Sequence, residues 1–184
     1  MSSAQPVDHL EDPVGASSAR LVAVGLLVVF IDIRIDTFDL VSDAIGWLLV
    51  AVGARRLVPR HAAYGWVLIV AAVAAALALP LDLAGGALAS LVGFVTTLAV
   101  VLLCAAGAAT AQPARRPSFR RVAVVTVVAS CLLVLGIALA RTGSAGPPLF
   151  GLAALGDLVA YLWLIGLMWA EGRPTTLGLP AAAG

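Results

Sequence analysis

Five charged side chains crowd into residues 32–43, DIRIDTFDLVSD: Asp32, Arg34, Asp36, Asp39 and Asp43. Two uncharged apolar runs, residues 21–31 and 44–54, flank them. Carboxylates at this density can take a cation, relay a proton or hold a guanidinium. In or near hydrocarbon each charge costs about 3 kcal/mol, so it calls for a partner or a purpose. On one unbroken helix the four aspartates would fall within about 60° of one another and Arg34 would point elsewhere. A reversal is needed before the next apolar run, and residues 36–38 are the natural place. Ser42 or Asp39 can then cap a second helix, with Asp43 in its first turn, where a carboxylate suits the helix dipole. On this reading Asp39 and Asp43 serve the hairpin and its caps, while Asp32 and Asp36 belong to the first helix. Asp32 and Arg34 keep no local explanation.

One further acid interrupts an apolar run, Asp157. It falls about 12 Å from the nearer end of the last apolar segment, a depth similar to that of Asp32 and Arg34. A lone charge there is expensive, so Asp157 is expected to pair with Arg34. Asp32, Arg34, Asp36 and Asp157 therefore form the candidate intramembrane polar cluster. Asp82 is expected to be solvated at the rim. Asp43-Ala-Ile-Gly-Trp-Leu also echoes Asp157-Leu-Val-Ala-Tyr-Leu, an acid followed four residues later by an aromatic on the same helix face.

The run Asp32-Ile-Arg-Ile-Asp-Thr-Phe-Asp-Leu-Val-Ser-Asp-Ala-Ile-Gly-Trp, followed by Arg55-Arg56-Leu57, resembles a hairpin of small bacterial multi-spanning membrane proteins with no assigned activity. Their pattern reads D-x-R-I-N-G-F-D-x-x-P-D-x-I-G-Y. Asp36-Thr37 replaces Asn-Gly, Ser42 replaces Pro and Trp47 replaces Tyr. The resemblance covers about thirty residues, implies a membrane hairpin and leaves function open.

The elements that must position these charges are membrane helices. Of 184 residues, 62% are hydrophobic and 11% charged, with mean hydropathy +1.08; a soluble domain carries about 25% charged residues. The net charge of +1 argues against a nucleic-acid partner. All eleven basic residues are arginine, consistent with a GC-rich bacterial genome. Residues 62–79, 87–112, 122–140 and 149–170 each suffice to span, since about 20 apolar residues cross a bilayer. The first two apolar runs are only eleven residues each, about 16 Å of helix. Either these helices carry polar ends into the outer half of the membrane, with Pro13 opening the first, or they form a re-entrant hairpin. The first is preferred, because lipid-exposed non-helical backbone is prohibitive.

With six spans, one side holds Arg20, Arg55, Arg56, Arg60, Arg115, Arg116, Arg120, Arg121 and Arg173, and the other holds Arg34 and Arg141. The positive-inside rule makes the nine-arginine side cytoplasmic. Arg55, Arg56, Arg60, Arg115, Arg116, Arg120 and Arg121 are topology signals on this reading, with anionic-lipid contact as the lesser alternative. The expected fold is all-α, a polytopic bundle of about six transmembrane helices in the bacterial inner membrane, with both termini cytoplasmic. Residues 20–172 form the helical domain, and 1–19 and 173–184 disordered tails. Residues 1–19 lack the basic start of a secretory signal.

Trp47, Trp66, Trp163 and Trp169 are expected at the membrane interface. Ala71/Ala75, Gly86/Ser90 and Gly166/Ala170 are expected at close helix contacts. Cys104 and Cys131 read as buried apolar residues. His9 and His61 have no ligand-like company. No HExxH, GxSxG, P-loop or GxGxxG motif occurs, so no catalytic residue, metal site or cofactor is assigned and the chain is not read as an enzyme. An accessory or structural membrane subunit with an Arg–carboxylate clamp fits best. Its partners are then the bilayer and a membrane protein or a second copy. A small cation or proton conductor using Asp32, Asp36 and Asp157 is the alternative. A lipid enzyme with aspartate-bound Mg²⁺ is a third, weaker reading.

Overall fold

The computed structural model describes residues 13–31, 34–35, 38–39, 43–78, 87–141 and 147–173. Among them are six helices, α1 (Pro13–Phe30), α2 (Asp43–Leu57), α3 (Ala63–Ala78), α4 (Ala87–Thr110), α5 (Arg116–Arg141) and α6 (Pro147–Glu171). Two two-residue strands, β1 (Arg34–Ile35) and β2 (Phe38–Asp39), pair antiparallel between α1 and α2. Each helix packs on the next in sequence, and α6 returns against α1, so the six close into a ring.

Local chemistry sets the helix ends. Pro13 opens α1, where its missing N–H is no loss. The hydroxyls of Ser17 and Ser18 donate back to the Val14 carbonyl, at 3.0 and 2.6 Å. That bond lets Ser18 be fully buried at no cost in unpaired polar groups. Asp43 opens α2 as expected. The His61 Nδ1 accepts the Ala63 N–H at 3.1 Å and so caps α3.

The first helix differs from its expected course. It opens at Pro13, as the longer-helix reading expects, but ends at Phe30. The expected tail over 1–19 therefore loses 13–19 to the helix. Arg34 lies in β1, not on a helical continuation. The register pairs Arg34 with Asp39 and Ile35 with Phe38, so the chain reverses at the expected place. Asp32 and Asp36 lie outside the described residues, as do the side chains of Arg34 and Asp39.

Leu26, Trp47, Leu103, Phe119, Leu164 and Met168 are among the fully enclosed side chains of the core. Trp47 is 2% exposed, so it is a packing residue of the bundle and not an interface anchor; Trp66, at 63%, does face outward. Ala71 and Ala75 are buried, as their spacing predicts. Gly166 is exposed with no atom within 4 Å of an added Cβ, so the Gly166/Ala170 pair marks no contact inside the bundle. Gly86 and the Ser90 side chain lie outside the description. Both cysteines are free; Cys104 is buried, but Cys131 is exposed.

The outward surface is apolar. Phe94 and Val134 are both 67% exposed, and Val, Leu and Ile side chains cover the outer faces of all six helices. A water-facing monomer seldom shows an apolar patch above a few hundred Å², so this surface suits hydrocarbon. Among the described residues, three helices are long and apolar enough to cross a membrane, α4, α5 and α6. α1 and α3 are apolar but shorter.

The short and long helices share one end. The Arg60 guanidinium lies over Gly15, and Gly172 meets Ala16 and Arg20. Tyr64 bonds Thr110, and Arg115 pairs with Glu171. The starts of α1, α3 and α5 and the ends of α2, α4 and α6 are thus gathered at an arginine-rich end. From that end α1 rises about 27 Å and α6 about 37 Å. The difference creates the setting of the charged hairpin.

Candidate functional site

An open cleft of about 300 Å³ lies between α1 and α6, lined by Val29, Phe30, Ala154, Asp157, Leu158 and Tyr161. Phe30 is the last residue of α1, so the cleft sits where the chain leaves that helix for the hairpin. Residues 147–156 of α6 continue past this level, about 15 Å of helix. The hairpin strands follow α1 in the chain from this point. Helix α5 backs this part of α6 closely, since an added Cβ on Gly156 would stand 3.1 Å from that of Ala129.

Asp157 is half-buried in this cleft and is the only acid among its described lining. Tyr161 follows one turn later on the same face. The structure thus brings Asp157 and Tyr161 together in the cleft. Asp43 was expected to act only as a cap, and it does open α2, with one carboxylate oxygen shielded from solvent. The echo between the two segments has a partial structural counterpart. Trp47 is buried in the core, whereas its equivalent, Tyr161, lines the cleft with Asp157. Tyr161, Val29 and Phe30 were not singled out as site residues. Tyr161 was accessible through its spacing from Asp157; the other two depend on where α1 stops.

Among the described residues no group of three or more His, Cys, Asp or Glu side chains could hold a metal ion. The cleft's chemistry is one carboxylate, one phenol and an apolar wall. It can hold a single cationic group by charge and by an aromatic face.

The arginine-rich end carries a second polar cluster. Tyr64 is buried and shares a 3.1 Å hydrogen bond with Thr110, whose hydroxyl also lies 3.0 Å from the Ala106 carbonyl. Arg115 pairs with Glu171 at 3.2 Å, and the Arg116 Nε–H donates to the Ala111 carbonyl at 3.0 Å. Spacing along the chain carries no sign of the Tyr64–Thr110 bond, because it joins two different helices. Tyr64→Phe is expected to lower stability in detergent by about 1 kcal/mol, the usual scale of an interhelical hydrogen bond. Thermal unfolding of the purified variant checks this. A change below about 0.3 kcal/mol would show that the bond contributes little.

No known family, curated protein or solved structure matches the chain.

Proposed function

We propose that the chain is a six-span integral protein of the bacterial inner membrane with both termini cytoplasmic. Its role is that of a structural or accessory subunit, in which Arg34 of the hairpin clamps Asp157 of α6. The apolar outer surface supports the membrane assignment, and the gathering of Arg20, Arg55, Arg56, Arg60, Arg115, Arg116, Arg120, Arg121 and Arg173 on one side supports the orientation. The observation that carries the clamp is the level of Asp157. It faces the cleft at the height of Phe30, and Arg34 follows Phe30 by four residues. A guanidinium there would meet a half-buried carboxylate that otherwise bears its desolvation cost alone. The hairpin resemblance fits the same reading. With the loop so held, the first two helices keep polar ends beside α6 without exposing the hairpin backbone to lipid.

A double-mutant cycle tests the clamp. Arg34→Gln and Asp157→Asn are each expected to lower the unfolding temperature, and the double variant to lose less than their sum. The expected coupling is about 1–3 kcal/mol. Strictly additive losses would rule the pairing out.

One observation favours a second reading, a small cation or proton conductor: the cleft that reaches Asp157 is open. Asp157 would be its site, with Asp32 and Asp36 as further acids. Flux into proteoliposomes, wild type against Asp157→Asn and Asp32→Asn, decides the matter. Equal flux in all three would end the conducting reading.

A further inference from the structure

The outer face of α5 carries a feature that neither reading uses. Arg116 and Arg120 stand one turn apart, and Val124, Val127, Cys131 and Val134 continue the same exposed face. At 100° per residue these six positions fall within about 80° of one another. Arg121 flanks the stripe at its foot. Phe119 and Val122 point the opposite way, into the core. A stripe of exposed valines is therefore headed by three exposed guanidinium groups.

Nothing in the described bundle neutralises them. Glu171 is the one described acid at this end, and Arg115 engages it. Arg116 is anchored by its Nε to the Ala111 carbonyl, a neutral acceptor. Arg120 and Arg121 make no ion pair or hydrogen bond with another described residue. The same order recurs at this end of the ring. Arg20 heads the exposed stripe of α1, Arg56 that of α2, and Arg173 follows that of α6. The α5 foot is the densest of these places.

We propose that the foot of α5 binds the headgroup of an anionic phospholipid, whose acyl chain lies along Val124, Val127 and Cys131. This rests on the membrane reading above. The complementarity is twofold. Guanidinium forks match a phosphodiester in geometry and charge, and the valine track gives the chain a flat apolar bed directly beneath. A free phosphate would use only the first half of the site. A topology signal alone explains arginines at this end but not their alignment with the exposed stripe.

Cys131 supplies the probe, because Cys104 is buried and Cys131 is exposed on the stripe itself. A small bimane on Cys131 is reconstituted in vesicles of phosphatidylcholine with phosphatidylglycerol as the minor lipid. Bromine is placed on the acyl chains of one lipid or the other, and quenching is read. Each arginine near a membrane surface favours an anionic lipid by about fivefold. Brominated phosphatidylglycerol is therefore expected to quench at a mole fraction at least about fivefold lower than brominated phosphatidylcholine. Replacing Arg116, Arg120 and Arg121 together by Gln is expected to abolish the preference. Replacing all three by Lys is expected to keep most of it, which separates loss of charge from loss of fold. Equal quenching by the two lipids in the wild type would overturn the lipid site while leaving the membrane reading intact. Quenching by neither would overturn the membrane reading. Free glycerol phosphate is expected to leave the quenching unchanged; competition by it would show a phosphate site in place of a lipid site.

Discussion

Gly46→Leu should prevent the folded protein from accumulating, and Gly46→Ala should destabilise it by up to about 3 kcal/mol, the upper end of ordinary overpacking. The reason is a reciprocal contact between α1 and α2. A Cβ on Gly46 would stand 2.8 Å from the Gly25 carbonyl oxygen and 2.8 Å from the Val29 nitrogen. A Cβ on Gly25 would stand 2.7 Å from the Gly46 oxygen and 2.8 Å from the Val50 nitrogen. The obstructing atoms are backbone, so no rotamer change relieves the clash and the helices must separate. Taken alone, Gly→Ala inside a helix gains about 1 kcal/mol of propensity. The contact outweighs that gain and sets the sign. Gly65→Leu is the control, because an added Cβ there meets nothing within 4 Å. Size-exclusion yield after detergent extraction, with the thermal midpoint, checks both. Wild-type behaviour of Gly46→Leu would show that the two backbones are not in contact.

Helix placement was largely legible, because it depends on local chemistry. Pro13 and Asp43 open the helices that their types predict, and the apolar segments beginning near residues 62, 87 and 149 fold within a few residues of their expected bounds. What could not be read is which face of each helix meets another. Gly25 and Gly46 bring two backbones within 3 Å of an added Cβ, yet Gly25 has no small residue four positions away to mark the contact. Gly166 and Ala170 do recur so and line no contact inside the bundle. A single sequence shows the period of small residues but not the partner they meet. Trp47 makes the same point. An aromatic near the end of an apolar run suits the membrane interface, and only the third dimension shows it enclosed in the core.

The candidate site was half legible for a related reason. Asp157 stands out as a charge in an apolar run, and the structure places it in the cleft between α1 and α6. Its neighbours depend on relative helix heights, which no periodicity encodes. α1 was expected to run on through Asp32. It ends at Phe30, and near its start Ser17 and Ser18 bond their own backbone. That end leaves Arg34 in β1 and not on a helix.

The second large effect is expected at Phe119, which is fully buried with its ring over Gly107. A Cβ on Gly107 would stand 2.5 Å from the ring, so the notch and the ring fit only as a pair. Phe119→Ala is expected to cost about 2–3 kcal/mol. In a water-soluble core the same truncation costs about 3–5 kcal/mol, of which part is transfer from water. In a bilayer the unfolded reference keeps the ring in an apolar medium, so mainly the packing contacts are lost. Gly107→Ala is expected to destabilise through overlap with the ring. Adding Phe119→Leu to it should recover part of that loss by making room, which a mere loss of helix quality at residue 107 would not allow. Unfolding of the four proteins in the same micelles measures the terms. Failure of the double variant to recover would show that Gly107 and Phe119 do not share a contact. The size of the Phe119→Ala loss also bears on the medium. A value near 5 kcal/mol would mean that the ring leaves water on folding, and a value near 2 that it never entered it.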